Sequence, residues 1–314
     1  MNFVEEKIGL NIKVLLVEYT KDSPKIIATA SKMSTSKKTV RGLLEIKQDE
    51  IDIWIKETFK RNHFSPWEHS SYTFMIEGCS RVCSHQLVRH RIASFTQQSM
   101  RYTEASLRDM ALLLGSKIKM NCPEKPKKGD REAYRCYSEA LKNSISLLNP
   151  KELIEAANIA YVFPPMMRKE RAEIYAKSLI EATANYYNLL STGLSKEDSR
   201  FIIPMSVRTK ITVTMNAREL IQTFFPLRMC TRAQWEIRKV AWLLWSELIK
   251  VHPELFKYAG PSCVHLENIN RDEPETLQNF VEGNSSFTIN RCPELVKNNG
   301  IRACLLTAYN TLNL

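Results

Sequence analysis

Apolar residues recur along this chain with two different periods. From Ile12 to Glu18 (IKVLLVE) a short run of β-branched and aliphatic residues ends in a polar turn, which predicts a strand. Pro24 opens a helix through Met33. From about Asp49 to Arg61, an acidic first turn precedes an apolar face made by Ile51, Ile53, Trp54, Ile55 and Phe59, predicting another helix. The stretch His63-Phe-Ser-Pro-Trp-Glu-His69 breaks it, because Pro66 disfavours a helical residue before it. Ser71 to Ile76 reads as the next strand. Ser80 is placed to cap a helix running to about Arg89, with Val82, Leu87 and Val88 as its apolar contacts.

From about Thr103 to Pro150 the character changes: a lysine-rich turn, CPEKPKKGD, sits between two polar helical patterns, as in an inserted excursion. Helical periodicity returns strongly from Arg168 to Leu190. Thr209 to Met215 (TKITVTM) alternates as a strand, and Arg232 to Val251 predicts a long helix with a buried stripe of Trp235, Ile237, Val240, Ala241 and Leu244. Beyond Pro253 the pattern is mostly loop-like. These elements predict an α/β (α+β) fold in which a mixed sheet packs against several helices. The expected organisation is one domain over residues 1–314, with an insertion at 103–150 and a C-terminal extension at 252–314. A two-domain dinucleotide-binding fold is disfavoured, because no Gly-x-Gly-x-x-Gly turn follows a strand and the chain has only nine glycines.

Composition narrows the partners. Lysine and arginine number 45 against 34 acidic residues, a net charge of +11 that concentrates anions near the surface. Nucleic acid fits that charge, and so do several phosphorylated small molecules converging on one site. The aromatic residues, however, sit mostly in helical apolar patterns, and no nucleic-acid-binding motif is present. No segment reaches eighteen uninterrupted apolar residues and the N-terminus lacks the features of a secretion signal, so a soluble, cytoplasmic protein is expected. In a reducing compartment the eight cysteines are expected mainly as free thiols. Cys230, Cys263, Cys292 and Cys304 lie at irregular intervals matching no compact zinc pattern; whether they meet as a structural metal site stays open, with idle thiols as the default.

The densest chemistry lies between Gln86 and Arg101 (QLVRHRIASFTQQSMR), a strip of arginines, amides and hydroxyls able to hold phosphate and heterocycle edges. For an anonymous charge run, a solvated basic face is the bland reading. Here the arrangement argues otherwise. Arg89-His90-Arg91, followed by seven residues and Ser99, resembles the signature of the flavin-dependent thymidylate synthases. The upstream His63-Phe-Ser-Pro-Trp-Glu-His69 and the downstream Asn216-Ala-Arg218, Leu227-Arg228 and Arg232-Ala-Gln-Trp-Glu-Ile237 resemble two further blocks of that family, in the same order.

The resemblance implies reductive methylation of dUMP to dTMP, with methylene-tetrahydrofolate as carbon donor and NADPH-reduced FAD as hydride source. It also implies a homotetramer whose sites are shared between subunits. On the matching positions, FAD is expected at His63, Ser65, Arg89, His90, Arg91, Gln97, Asn216, Ala217, Arg218, Gln222 and Arg232, and dUMP at Gln86, Arg89, Gln97, Gln98, Ser99, Arg101, Arg200 and Arg228. Arg228 is the expected catalytic residue, because a permanent charge at the uracil edge stabilises negative charge at N3 or O4. No metal is expected in this chemistry. No cysteine falls between Arg89 and Arg101, in keeping with a reaction that uses no cysteine nucleophile. Ser99 lacks a recognisable base, so it reads as a phosphate ligand rather than a nucleophile.

Departures from the family pattern qualify these expectations. Gln97 replaces an acidic residue found in many members and cannot act as a base. The interval from Arg218 to Arg228 is one residue longer than in some members, leaving open whether Gln222 or Thr223 takes the flavin-binding amide position. Alternatives are a flavoprotein acting on another pyrimidine nucleotide, or a nucleotide-binding homologue without turnover.

Overall fold

The computed structural model describes residues 11–167, 169–269 and 271–313. Four strands, β1 (Lys13–Tyr19), β2 (Ser71–Ser80), β3 (Ala93–Gln97) and β4 (Arg208–Asn216), form one sheet in the order β1-β2-β4-β3. The α/β (α+β) expectation of a sheet with several helices is borne out, and each pairing in the sheet is antiparallel. The ends of the strands show the direction. The Thr20 N–H, just past β1, donates to the Ser71 carbonyl at the start of β2 (3.0 Å), and the Ala217 N–H, just past β4, donates to the Ser70 carbonyl (2.8 Å). The short β3 was not anticipated, since ASFTQ carries no aliphatic alternation.

The helices are α1 (Ser23–Met33), α2 (Val40–Leu44), α3 (Gln48–Lys60), α4 (Arg81–Leu87), α5 (Ala105–Lys117), α6 (Arg131–Leu147), α7 (Pro150–Ala160), α8 (Lys169–Ser191), α9 (Lys196–Ser199), α10 (Phe225–Arg228) and α11 (Trp235–Val251). Four more follow: α12 (Pro253–Phe256), α13 (Ser262–Asn268), α14 (Leu277–Glu282) and α15 (Ile301–Tyr309). The chain beyond Pro253 is therefore largely helical, not loop-like; its helices are four to nine residues long, too short for a periodic pattern to stand out.

The fold has two compact units. Among the described residues, one comprises 11, 77–82 and 97–210, the other 12–76, 83–96 and 211–313. In the first, α5, α6, α7 and α8 bury one another through Leu107, Met110, Leu114, Tyr137, Leu141, Ala176, Ile180 and Tyr187. The stretch expected as an excursion thus supplies half of a helical core. Helix α7 has a strong start, Pro150 in its first turn and a reciprocal capping box between Asn149 and Glu152. Gly78 bends β2 at φ +85°, where an added Cβ would run into the Asn11 carbonyl.

In the second unit α11 lies against β1 and α1 against α3. Phe59, Phe64 and Trp67 pack together, with the Trp67 indole donating to Thr58 Oγ1 (3.0 Å). The proline-broken segment forms a 3-10 turn over Ser65–His69.

Most cysteines are free thiols, as expected, with one exception. Cys122 and Cys136 form a disulfide, while the remaining six are free. Cys230, Cys263, Cys292 and Cys304 do converge on one small apolar cavity of about 20 Å³ in the second unit. Among the described residues, however, no group of three or more His, Cys, Asp or Glu is disposed to share a metal ion. Burial, reinforced by the neighbouring thiols, pushes Cys263 up to about 12, the property of an inert thiol.

Candidate active site

In the second unit the loop between α4 and β3 carries Arg89-His90-Arg91, and the helix expected to reach Arg89 stops at Leu87. The N–H groups of Arg89 and His90 bond back to the Gln86 and Leu87 carbonyls, which folds the loop inward at residue 90. His90 is only 4% exposed. Its Nδ1 lies 3.0 Å from Glu219 Oε1, and Arg228 Nε donates to its Nε2 at 2.9 Å. A guanidinium has no lone pair to offer, so Nε2 must accept. The imidazole is therefore neutral, with its proton on Nδ1 donated to Glu219. Both ring nitrogens are engaged by protein partners, so His90 holds Glu219 and Arg228 together at the centre of this network.

Glu219 and Arg228 reach this position through an unusual piece of helix. Residues Glu219–Phe224 form a π-helical turn, in which the Phe225 N–H bonds to the Leu220 carbonyl five residues back. The cause is legible locally. Pro226 has no N–H to give and its ring crowds the carbonyl four residues earlier, so the wider turn relieves an α-helical clash. Asn216 Oδ1 accepts the Glu219 N–H (2.8 Å) and so caps the turn. Arg228 then sits at the end of α10, half-buried, with a second contact to the Gln86 carbonyl (3.4 Å). Burial and then the charge of nearby Arg89 work against its own positive charge.

Other expected residues of this unit are tied together in a second network. Arg218 bonds Gln222 Oε1 (2.8 Å) and pairs with Glu68, joining the upstream and downstream blocks. Gln222 also donates to Asn62 Oδ1 (2.9 Å), so Gln222 rather than Thr223 is the amide built into this network. His63 is exposed and lines a cavity of about 450 Å³ with Ser31, Ser34, Thr35, Trp54 and Arg61. Ser65 and Arg232 are exposed, and Ala217 is buried at the end of β4. Arg89 and Arg91 are exposed and have no carboxylate partner among the described residues.

The first unit holds the other expected residues. Arg101 pairs with Glu197 Oε2 (3.2 Å), and Arg200 Nε donates to the Glu197 carbonyl (3.1 Å). Ser99 Oγ accepts the Arg101 N–H (3.2 Å) in a tight turn, and Gln97 donates to Thr209 Oγ1 (3.2 Å). Sequence reasoning missed Arg81, whose Nη2 donates to the Gln98 carbonyl (2.7 Å). Burial first, and then the charge of Arg200, work against the positive charge of Arg81. Its signal was weak: a single arginine directly after the strand, outside the dense strip. Glu219 was also missed, although a lone acid inside the apolar run ELIQTFF is an anomaly that calls for a buried partner.

A family model described as thymidylate synthase complementing protein matches residues 15–254. The chain is 53% identical over 308 residues to the flavin-dependent thymidylate synthase of Aeropyrum pernix, covering 96% of this chain and 95% of that one. It is 40% identical over 305 residues to that of Sulfurisphaera tokodaii, covering 96% and 98%. Among solved structures, thymidylate synthase X from Helicobacter pylori with FAD and dUMP has the same fold, with a TM-score of 0.55 at 24% identity over 78% of this chain and 97% of that one. A UMP/dUMP methylase from Streptomyces cacaoi bound with 5-Br dUMP scores 0.53 at 21% identity, over 78% and 93%. Taken with the three sequence blocks, these likenesses place the chain in the family of flavin-dependent thymidylate synthases.

Proposed function

We propose that this chain converts dUMP to dTMP by reductive methylation, with FAD as its cofactor, methylene-tetrahydrofolate as carbon donor and NADPH as reductant. The observation that carries the reading is Arg228: a half-buried guanidinium held by His90, beside the charge of Arg89, with no carboxylate partner of its own among the described residues. Such a cation is poised for a ligand's negative charge. In this reading it lies at the uracil edge and stabilises negative charge at N3 or O4, which makes C5 nucleophilic without a protein adduct. Ser99, Arg101 and Arg200, with Gln86, Arg89, Gln97 and Gln98, hold the nucleotide.

The residues present suit a flavin dinucleotide. The exposed guanidinium groups of Arg89 and Arg91 are unpaired by carboxylates among the described residues, and His63 stands on a cavity large enough for a planar ring. Ser65, Asn216, Ala217, Arg218, Gln222 and Arg232 complete the set that would hold it. When bound, FAD supplies the hydride for the new methyl group. The protein's own part is binding, orientation and charge stabilisation. In this reading the active form is a cytoplasmic homotetramer, a single domain to which 103–150 and 252–314 are additions.

The test is anaerobic incubation of flavin-loaded protein with dUMP, methylene-tetrahydrofolate and NADPH, followed by mass analysis of the nucleotide. dTMP is expected, and its absence from loaded, folded protein sinks the proposal. A parallel arm with UMP decides whether another pyrimidine nucleotide is preferred.

A further inference from the structure

We infer that Glu219 is a positioning residue for Arg228, acting through His90; the inference rests on the reading of Arg228 as the substrate-facing charge. Glu219 is 4% exposed and is paired with a histidine that is equally hidden. A carboxylate so placed is costly unless it is fully used. Its use is specific. By accepting the Nδ1 proton it leaves Nε2 as a lone pair, and only that tautomer can accept the Arg228 Nε–H. The other tautomer would aim an N–H at an N–H and push the guanidinium away.

The π-helical turn is what makes the arrangement possible. Phe224 packs edge-on against His90 with ring centroids 4.9 Å apart, so residues 219 and 224 both touch the same imidazole. In an α-helix, side chains five residues apart point about 140° away from one another. In a turn closed by bonds to the fifth residue, they fall on nearly one face. The π-helical register therefore brings a carboxylate and an aromatic ring together on His90, while α10 returns Arg228 to the opposite nitrogen. One carboxylate sets the tautomer, one ring fixes the imidazole plane, and the guanidinium is aimed as a result.

The test uses the full-length, flavin-loaded protein and the variants Glu219→Ala and Glu219→Gln. Nitrogen NMR of histidine-labelled protein reads the tautomer without any turnover: in the wild type, His90 is expected to be protonated at Nδ1 and bare at Nε2. In Glu219→Ala this single state is expected to give way to a mixture, and kcat to fall by about 10- to 100-fold, the usual scale for losing an orienting partner, with a smaller change in KM for dUMP. Glu219→Gln can still accept the Nδ1 proton and is expected to recover most of the loss and the single tautomer. A folded Glu219→Ala variant with wild-type kcat and an unchanged tautomer would overturn the inference. Should that variant not fold, a protonated Nε2 in the wild type or in Glu219→Gln overturns it equally. Because the NMR readout does not depend on product, an inactive wild type would count against the proposed reaction alone.

Discussion

At the scale of single residues, charge and hydrogen-bond capacity decide what each group can do. Arg228 must present a planar fork while giving its Nε–H to His90, and lysine can do only part of this. Arg228→Lys is expected to retain flavin but to lose dTMP formation by about 10²- to 10³-fold, the scale of removing one preorganised charge donor. Steady-state rates on flavin-matched samples check it, and a loss below tenfold would contradict the role. A second residue makes a prediction about stability. Burial lowers the pKa of His265 to about 4, and its Nδ1 has no hydrogen-bond partner among the described residues. Because the folded value lies below that of an exposed histidine, the unfolded chain takes up a proton first as pH falls. Stability is therefore lost between about pH 6.5 and 4, by at most about 3 kcal/mol. Urea unfolding of the wild type and His265→Leu across that range should show a flatter pH dependence in the variant; parallel curves would exclude His265 as a source of acid sensitivity. Residue identity made Arg228 and the Arg89-His90-Arg91 strip legible in the sequence. It did not reveal that His90 faces inward, because that depends on where α4 stops.

At the scale of elements, periodicity reported the long helices and the aliphatic strands well and the irregular pieces poorly. Helix α8 and strand β4 fall within a residue of expectation, since their apolar positions repeat over many residues. Helix α7 begins at Asn149-Pro-Lys-Glu152, a complete start signal that lies where the insertion was expected to end. Its capping box is worth testing for that reason. Both halves are present: Asn149 Oδ1 accepts the Glu152 N–H (3.1 Å), and Glu152 reaches back to the Asn149 N–H (3.3 Å). Asn149→Ala is expected to cost about 1 kcal/mol of stability by denaturant titration, within the usual span for a lost N-cap. A change below a few tenths would mean that packing against α5 and α8 alone holds this helix in place. The π-helical turn was beyond any periodic reading. Pro226 is visible in the sequence, but the backbone register that accommodates it is one that only the fold displays.

At the scale of the whole molecule, the basic balance and the cysteines tell different stories. The +11 charge is compatible with the guanidinium groups of the site, although exposed pairs such as Lys210 with Glu77 show that part of it is ordinary solvated surface. The cysteines are expected to be mainly free because nothing in the sequence marks an oxidising destination, and six of the eight are; spacing alone cannot tell which two meet. The fold resolves this by bringing Cys122 and Cys136 together across the lysine-rich turn, between the end of α5 and the first turns of α6. The bridge closes a loop of 14 residues, for which chain entropy predicts a contribution of about 3 kcal/mol. The Tyr137 hydroxyl donates to the Pro123 carbonyl within the same loop, so some order there does not depend on the sulfurs. The contribution is therefore expected to be smaller than the entropic figure but measurable. Thermal unfolding with and without reductant should separate by several degrees in the wild type and coincide in a Cys122→Ser variant. Equal transitions in both proteins would mean that helix packing around Leu114, Tyr137 and Tyr187 already holds the loop closed, leaving the disulfide without energetic consequence.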